Sequence, residues 1–245
     1  MVCGLVIGRA GSVGFPGKNT FPVLGRPLAA YPLMAARGAQ LVDRVYMSTD
    51  DPDLARLAGA YQALVIDRPG YLADARALGE DVFKHGFEVI RGSLASEGET
   101  IELMVLLFAN APTITAETID TGITLLRARP ELDSAITVSR YNMWSPARAR
   151  RIDGEGLLKP FVPANDAGAT CDRDSTGDVW FADQGVSVVR PACLEHLDSG
   201  LPPQRWMGRR IAPMEQWGGL DIDYEWQIPM AEYWLQAHGF KPTSS

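Results

Sequence analysis

The sequence predicts an α/β fold: a mainly parallel sheet flanked by helices, with a small appended lobe. Three observations carry this expectation. Short apolar runs rich in β-branched residues alternate with helical stripes along the first half of the chain. The first run ends in a glycine-rich loop, "VIGRAGSVGFPGKN", Val6 to Asn19. At Arg140 the alternation gives way to an irregular, basic stretch.

Val2 to Ile7 is apolar and stopped by glycines, which predicts a strand buried on both faces. In "PLAAYPLMAARGAQ" the stripe Leu28, Tyr31, Leu33, Met34, Ala35 reads as a helix that bends or starts late at Pro32. "DRVYMSTDD" supplies a strand, and "DPDLARLAGAY" a helix with Asp51 as N-cap and Pro52 at its first position. Leu64 to Ile66 is a strand, a helical region lies within Leu72 to Ser96, and Leu103 to Ala109 is a central strand. A helix over Ala116 to Ala128 capped by Thr115 precedes a strand at Ser134 to Ser139. Residues 140–178 form the candidate lobe, with a hairpin turning at Asp153-Gly154. "VWFADQGVSVVRP" and "RRIAPMEQ" return to strand pattern, and Tyr224 to Ala237 is a final helix. The tail "KPTSS" is expected to be disordered.

A chain of 245 residues with 46% hydrophobic content can bury one large core. Its net charge of -7 argues against nucleic acid or an anionic membrane as partner, because both demand a broad basic face. Leu103 to Ala109, the longest apolar run, is far shorter than the ~20 residues of a membrane span. Cys3, Cys171 and Cys193 are scattered, without a CxxC pair, so neither a disulfide framework nor a zinc site is expected. With no signal-peptide pattern at its start, the sequence predicts a cytoplasmic enzyme or binding protein.

A loop leaving the first parallel strand faces the crevice where open α/β sheets take ligands. Gly11, Gly14 and Gly17 are read as positions of positive φ that turn amide N-H groups toward an anion, with Arg9 and Lys18 as flanking charges. The loop is neither GxGxxG nor GxxxxGK[ST], since Asn19 follows the lysine. Near the other end, "GGLDIDYEW" sets Asp221 and Asp223 two apart, so an extended backbone projects both carboxylates from one face with Ile222 turned inward. Such a pair suits magnesium, which takes one or two carboxylates and completes its octahedron with water and phosphate oxygens; a solvated acid pair at a strand end is the simpler alternative. His85, His196 and His238 fall outside every motif and are given no catalytic role. Arg148, Arg150 and Arg151 in "SPARARR" read as a solvated face or an anion clamp, and Trp180 and Phe181 as core or as a pocket wall.

The loop resembles the opening of the nucleotidyltransferases that activate acidic sugars, CMP-sialic acid synthetases above all, through Arg9, Gly11, Ser12, Gly14, Pro16, Gly17, Lys18 and Asn19. The likeness continues in "GRPLAAY", "DRVYMSTDD", Arg68-Pro69, "TAETID", "GEGLLKPF" and "LDIDYEWQ", in the family's order. This resemblance implies a Rossmann-like fold, a homodimer in which the appended lobe covers the partner's site, and attack of an anomeric hydroxyl on the α-phosphorus of CTP with Mg2+ present. Carried onto this chain it implies that Arg9 and Lys18, with Gly11 and Ser12 in their loop, contact the triphosphate. Asn19 and Arg68 would contact the base and its surroundings, and Asp221 and Asp223 the metal.

Two departures bear on specificity. Val13 stands where the family carries a lysine, and "FANAPT", Phe108 to Thr113, replaces a "QPTSP" segment, so that Asn110 is the candidate for a missing sugar-reading glutamine. Gln184-Gly185 stands in place of Asn-Gly, which makes Gln184 a second sugar candidate. The alternatives are a GTP-using relative, a sugar-phosphate nucleotidyltransferase, and an inactive nucleotide-binding module.

Overall fold

A computed structural model describes residues 1–74, 76–163 and 170–243. The strands are β1 (Val2–Ile7), β2 (Pro22–Val23), β3 (Arg26–Pro27), β4 (Arg44–Thr49), β5 (Leu64–Asp67), β6 (Leu103–Phe108), β7 (Ser134–Arg140), β8 (Arg150–Ile152), β9 (Leu158–Pro160), β10 (Trp180–Val189) and β11 (Ile211–Gln216). The helices are α1 (Ala30–Gly38), α2 (Pro52–Ala60), α3 (Gly70–Ala73), α4 (Gly79–Ser96), α5 (Ala116–Ala128), α6 (Pro191–Glu195) and α7 (Ile228–Ala237). Seven strands form one sheet in the order β11-β7-β10-β6-β1-β4-β5, and β10 alone runs antiparallel to its neighbours.

β1 is buried at every position because both sheet faces are covered. Val2 and Val6 pack with Leu33, Leu54 and Ile119 on one side, while Cys3, Leu5 and Ile7 pack with Phe83, Phe87 and Ile90 of α4 on the other. Each fully buried side chain of this size contributes about 1.5–3 kcal/mol. The chain leaves β1 toward β4 and β5 and returns to β6 on β1's other side, so the crevice of this switch point opens beyond the ends of β1 and β6.

Local chemistry explains the element ends. The Asp51 carboxylate accepts from the N-H groups of Asp53 and Leu54, with Pro52 in the first turn, and Thr115 Oγ1 accepts from Thr118 N. Helix α1 starts late, so Pro32 falls in its first turn, where a missing N-H costs nothing. The region expected to be helical within Leu72 to Ser96 divides into α3 and α4, and the final helix has a 3₁₀ turn, Glu225–Gln227, ahead of α7.

Three expectations are corrected. The β8–β9 hairpin does not turn tightly at Asp153-Gly154. Its connection runs from Asp153 to Leu157, the Asp153 carboxylate accepting from Glu155 N and Leu157 N and Gly156 taking the positive φ of 79°. The tail is docked as far as Thr243: Arg26 donates to Lys241 O and Thr243 N to Leu24 O, and Thr243 lies against Gly25. Gly11 and Gly17 have positive φ, but Gly14 does not; it is small for another reason, since a Cβ there would stand 2.9 Å from Asp223 O. Residues 164–169 of the candidate lobe and 244–245 of the tail lie outside the described residues. The rest of the segment between β7 and β10 carries its own two-stranded sheet, β8–β9.

Candidate active site

An apolar cluster brings the two sequence-predicted segments together. Phe15 of the glycine-rich loop and Ile222, between the two aspartates, are both buried among Val23, Leu28, Tyr31, Ile228 and Trp234. Burying Ile222 leaves its neighbours at the rim, Asp221 partly buried and Asp223 exposed. The segment is fastened to the end of β6: Ile222 N donates to Asn110 O at 2.8 Å, and Asn110 Nδ2 donates to Ile222 O at 3.0 Å and to Asp221 Oδ2 at 3.4 Å. Lys18 Nζ then meets Asp223 Oδ1 at 2.6 Å. Loop and acid pair therefore share one place, 205 residues apart in sequence.

A cavity of about 310 Å³ opens there, lined by Arg9, Ser12, Lys18, Asn19, Arg68, Asn110 and Asp223, with an apolar wall of Leu72, Ala77, Val82 and Phe108. Asp221 reaches it through its bond to Asn110; Gly11 lies on the loop outside the lining, and Gln184 sits apart on β10. A larger cavity, about 590 Å³, lies against the other side of Leu72 and Ala77, lined by Tyr71, Asp74, Arg76, Lys84, His85 and Glu88. The smaller one is the candidate site, because it gathers a buried cation without a counter-charge among the described residues and a buried acceptor without a hydrogen-bond partner.

Arg68 is the clearest of these. It is 8% exposed, donates to Ser48 O at 2.6 Å, and has no carboxylate partner among the described residues. Burial pulls its guanidinium down to about 10, with Asp50 opposing and Arg9 adding to the shift. Asn19 is buried, its Nδ2 donating to Arg9 O at 3.2 Å while its Oδ1 has no partner. A buried cation without a counter-charge and a buried acceptor without a donor are costly in the free protein, and a polar ligand offering both complements relieves them. Arg9 folds onto its own loop, Nη1 donating to Gly11 O at 3.1 Å.

Asp221 is raised above the ordinary carboxylate value by burial first and by the charge of Asp223 second. Two neighbouring carboxylates, offering hard oxygens only, form a donor set that fits a small divalent cation. Among the described residues there is no group of three or more metal-donor side chains, so any cation here would complete its shell from phosphate and water.

Two residues serve the site by fastening its backbone. Asp50 Oδ1 accepts from Ala10 N at 3.1 Å and pins the glycine-rich loop to the end of β4; its place just after a strand was the available signal. Asn110, read as a sugar reader, spends its amide on the acidic segment. His85 faces the larger cavity, and His196 and His238 cap α6 and α7, so no histidine lines the site. Arg148 and Arg150 donate to the backbone carbonyls of Cys171, Ala147 and Ala149, and Trp180 is largely exposed at the start of β10.

The model of one protein family, described as cytidylyltransferase, matches residues 3–138, more than half of the chain. The chain belongs to the cytidylyltransferase family. Among curated relatives of this family member, CMP-N,N'-diacetyllegionaminic acid synthase of Legionella pneumophila is 27% identical over 65% of this chain and 66% of its own. N-acylneuraminate cytidylyltransferase of Escherichia coli is 28% identical over 36% of this chain, and pseudaminic acid cytidylyltransferase of Campylobacter jejuni 28% over 44%. The matched segments span about a fifth of the length of the Escherichia coli relative and 45% of the Campylobacter one. In fold, the chain is similar to CMP:2-keto-3-deoxy-manno-octonic acid synthetase complexed with CTP, with a TM-score of 0.67, 17% identity and 98% and 99% of the two chains covered. It is also similar to 4-diphosphocytidyl-2C-methyl-D-erythritol synthase of Anaerococcus prevotii, with a TM-score of 0.63, 15% identity and 96% of each chain covered. The fold is thus the Rossmann-like one expected from the sequence.

Proposed function

We propose that this protein transfers the cytidylyl group of CTP to the anomeric hydroxyl of an acidic keto sugar of the nonulosonic class. The sugar oxygen forms a bond to the α-phosphorus, the bond from that phosphorus to the β-bridging oxygen breaks, pyrophosphate leaves, and the hydroxyl proton passes to solvent or a nearby carboxylate. The observation that carries this reading is the meeting of Lys18 with Asp223 beside Arg68, a buried cation with no carboxylate partner among the described residues. The sugar class is supported by the names of the curated relatives.

In this reading Arg9 and Lys18 neutralise the triphosphate, while the loop from Gly11 to Gly14, with Ser12, turns polar groups toward it. Asn19 Oδ1 accepts from the cytosine amine, and Arg68 donates to the ring's acceptors; a uracil, which presents a carbonyl in place of the amine, would leave Asn19 unpaired. Asp221 and Asp223 hold Mg2+, which when bound supplies neutralising charge at the phosphates and polarises the reacting centre. Gln184, whose buried Oε1 has no partner, is assigned to the sugar, while Asn110 braces the acidic segment. Val13 is 79% exposed on the loop, so Arg9 and Lys18 carry the charge the family shares among three residues.

A homodimer fits the β8–β9 hairpin. Ile152 and Leu158 pair directly across it, and both are largely exposed together with Leu157 and Phe161. A second copy is the natural cover for such an apolar ribbon. The supply of CTP puts the work in the cytoplasm. Pyrophosphate release measured with CTP and GTP against a panel of nonulosonic acids, with and without magnesium, tests the reading. Turnover is expected with CTP and magnesium only. CTP binding without turnover across the panel would make this a binding module, and a preference for GTP would overturn the base assignment.

A further inference from the structure

Asp183 sits outside every motif that led to the site, yet it is 5% exposed, ionisable, and without a cationic partner among the described residues. Four donors surround it. Thr137 Oγ1 and Gly185 N reach Oδ1 at 2.6 and 3.1 Å, and Ser139 Oγ and Gln216 Nε2 reach Oδ2 at 2.7 and 2.8 Å. These donors belong to two working segments. On the Oδ1 side, Thr137 Oγ1 also accepts from Val186 N at 2.8 Å, so carboxylate and hydroxyl together shape the β10 bulge between Ala182 and Ser187. That bulge holds Gln184 at a φ of 61°, a left-handed conformation that a glutamine does not adopt unaided.

On the Oδ2 side, Ser139 Oγ accepts from Gly219 N at 2.9 Å, and Gln216 Nε2 also reaches Thr113 O at 3.3 Å. Thr113 Oγ1 in turn holds Leu220, accepting from its N-H at 2.9 Å and donating to its carbonyl at 3.2 Å. Tyr141 closes the turn by donating to Gly219 O at 2.8 Å. Leu220 is the residue before Asp221. Gly219 is glycine because a Cβ there would overlap Asp183 Oδ2, so the turn sits as close to this carboxylate as backbone can.

We infer that Asp183 is a positioning residue that fixes the sugar-side Gln184 and the metal-side Asp221 relative to each other, one carboxylate oxygen serving each. The inference rests on the cytidylyltransferase reading above. An asparagine at this position offers donors where one oxygen now accepts, so one of the two segments loses its anchor.

The test uses the full chain. Mn2+ affinity is measured by electron paramagnetic resonance with CTP present, CTP binding by calorimetry without metal, and the sugar KM by pyrophosphate release with the fastest acid of the panel. Asp183→Asn is expected to weaken Mn2+ by about ten- to a hundredfold, as loss of an outer support does, and to leave metal-free CTP binding unchanged. Ser139→Ala, which severs only the Gly219 side, should reproduce the Mn2+ loss without moving the sugar KM. Thr137→Val, which severs only the bulge side, should raise the sugar KM without moving Mn2+. Wild-type Mn2+ affinity in both Asp183→Asn and Ser139→Ala, with nothing lowered but the melting temperature, would overturn the proposal. A wild-type protein that binds Mn2+ and CTP but releases no pyrophosphate would sink the proposed reaction instead, and the Mn2+ comparison would still decide Asp183.

Discussion

Replacing Asp223 by asparagine should change nucleotide binding in opposite directions with and without metal. In the free protein Asp223 holds Lys18 at 2.6 Å, and its own side chain is 57% exposed. Lys18 is only 12% exposed, so losing its partner should lower stability by about 1–3 kcal/mol, less as the ammonium turns to water. For a metal-free triphosphate, Asp223 is a competitor for Lys18 and a like charge at the site. Removing it should tighten CTP by about fivefold, the equivalent of ~1 kcal/mol. With magnesium the same substitution removes one of two carboxylates that would hold the cation. Loss of such preorganised charge stabilisation costs about 2.7–4 kcal/mol in the transition state, or about a hundred- to a thousandfold in kcat/KM. Lys18→Met supplies the control, weakening CTP in both conditions. Calorimetric titration with CTP in chelator and in magnesium, alongside pyrophosphate-release kinetics, reads both arms. If Asp223→Asn weakens CTP equally with and without metal, the ion pair is merely structural and the exchange of partners described here does not occur.

Arg68→Met should leave the free protein as stable or more stable, because a buried guanidinium without a carboxylate is replaced by a chain of similar volume, while CTP binding falls by about tenfold or more; thermal melts and calorimetry measure the two. Gly14→Ala, whose Cβ would stand 2.9 Å from Asp223 O, should cost about 1–3 kcal/mol through displacement of the acidic segment, read by urea unfolding together with a raised magnesium requirement. Glu102 is held below its ordinary value, chiefly by its bonds to Arg127. Its contribution is therefore present above the unfolded value of ~4.3 and fades as pH falls through the depressed folded one. Both partners are about two-fifths exposed, so Glu102→Gln should flatten the acid limb of a urea-midpoint-against-pH curve by under ~1 kcal/mol.

The sheet was legible because its signals are local. Val2 to Ile7 is apolar throughout, Asp51-Pro52 and Thr115 write their caps in the sequence, and the limits of α5 follow from them. The hairpin was misplaced because Asp153-Gly154 satisfies the rule for a two-residue turn, whereas Asp153 bonds two amides further on and makes Gly156 the left-handed residue. The charged half of the site was legible too, since cations in a glycine-rich loop and a DxD pair keep their chemistry at any distance. What stayed hidden is long-range packing. Nothing near Phe15 announces that it shares a cluster with Ile222, and that shared burial is what aligns Lys18 with Asp223. Gly14, Gly185 and Gly219 look alike in sequence but are small for different neighbours: Asp223 O, Thr137 Oγ1 and Asp183 Oδ2.

A chain of net charge -7 that takes a polyanion cannot do so by a general basic field. This site stores its charges against each other instead. Lys18 is neutralised by Asp223, Asp221 resists ionisation beside it, and Asp50 caps the loop through Ala10. Arg68 is kept behind the wall with no carboxylate partner among the described residues, held by Ser48, where its desolvation has already been met by folding. Arrival of a triphosphate with its cation then requires exchange of partners, lysine to phosphate and carboxylate to metal, and no new charge has to be buried. Affinity in such a site should depend on delivering both ions together, which is why the opposite signs expected for Asp223→Asn test the whole arrangement and not one contact.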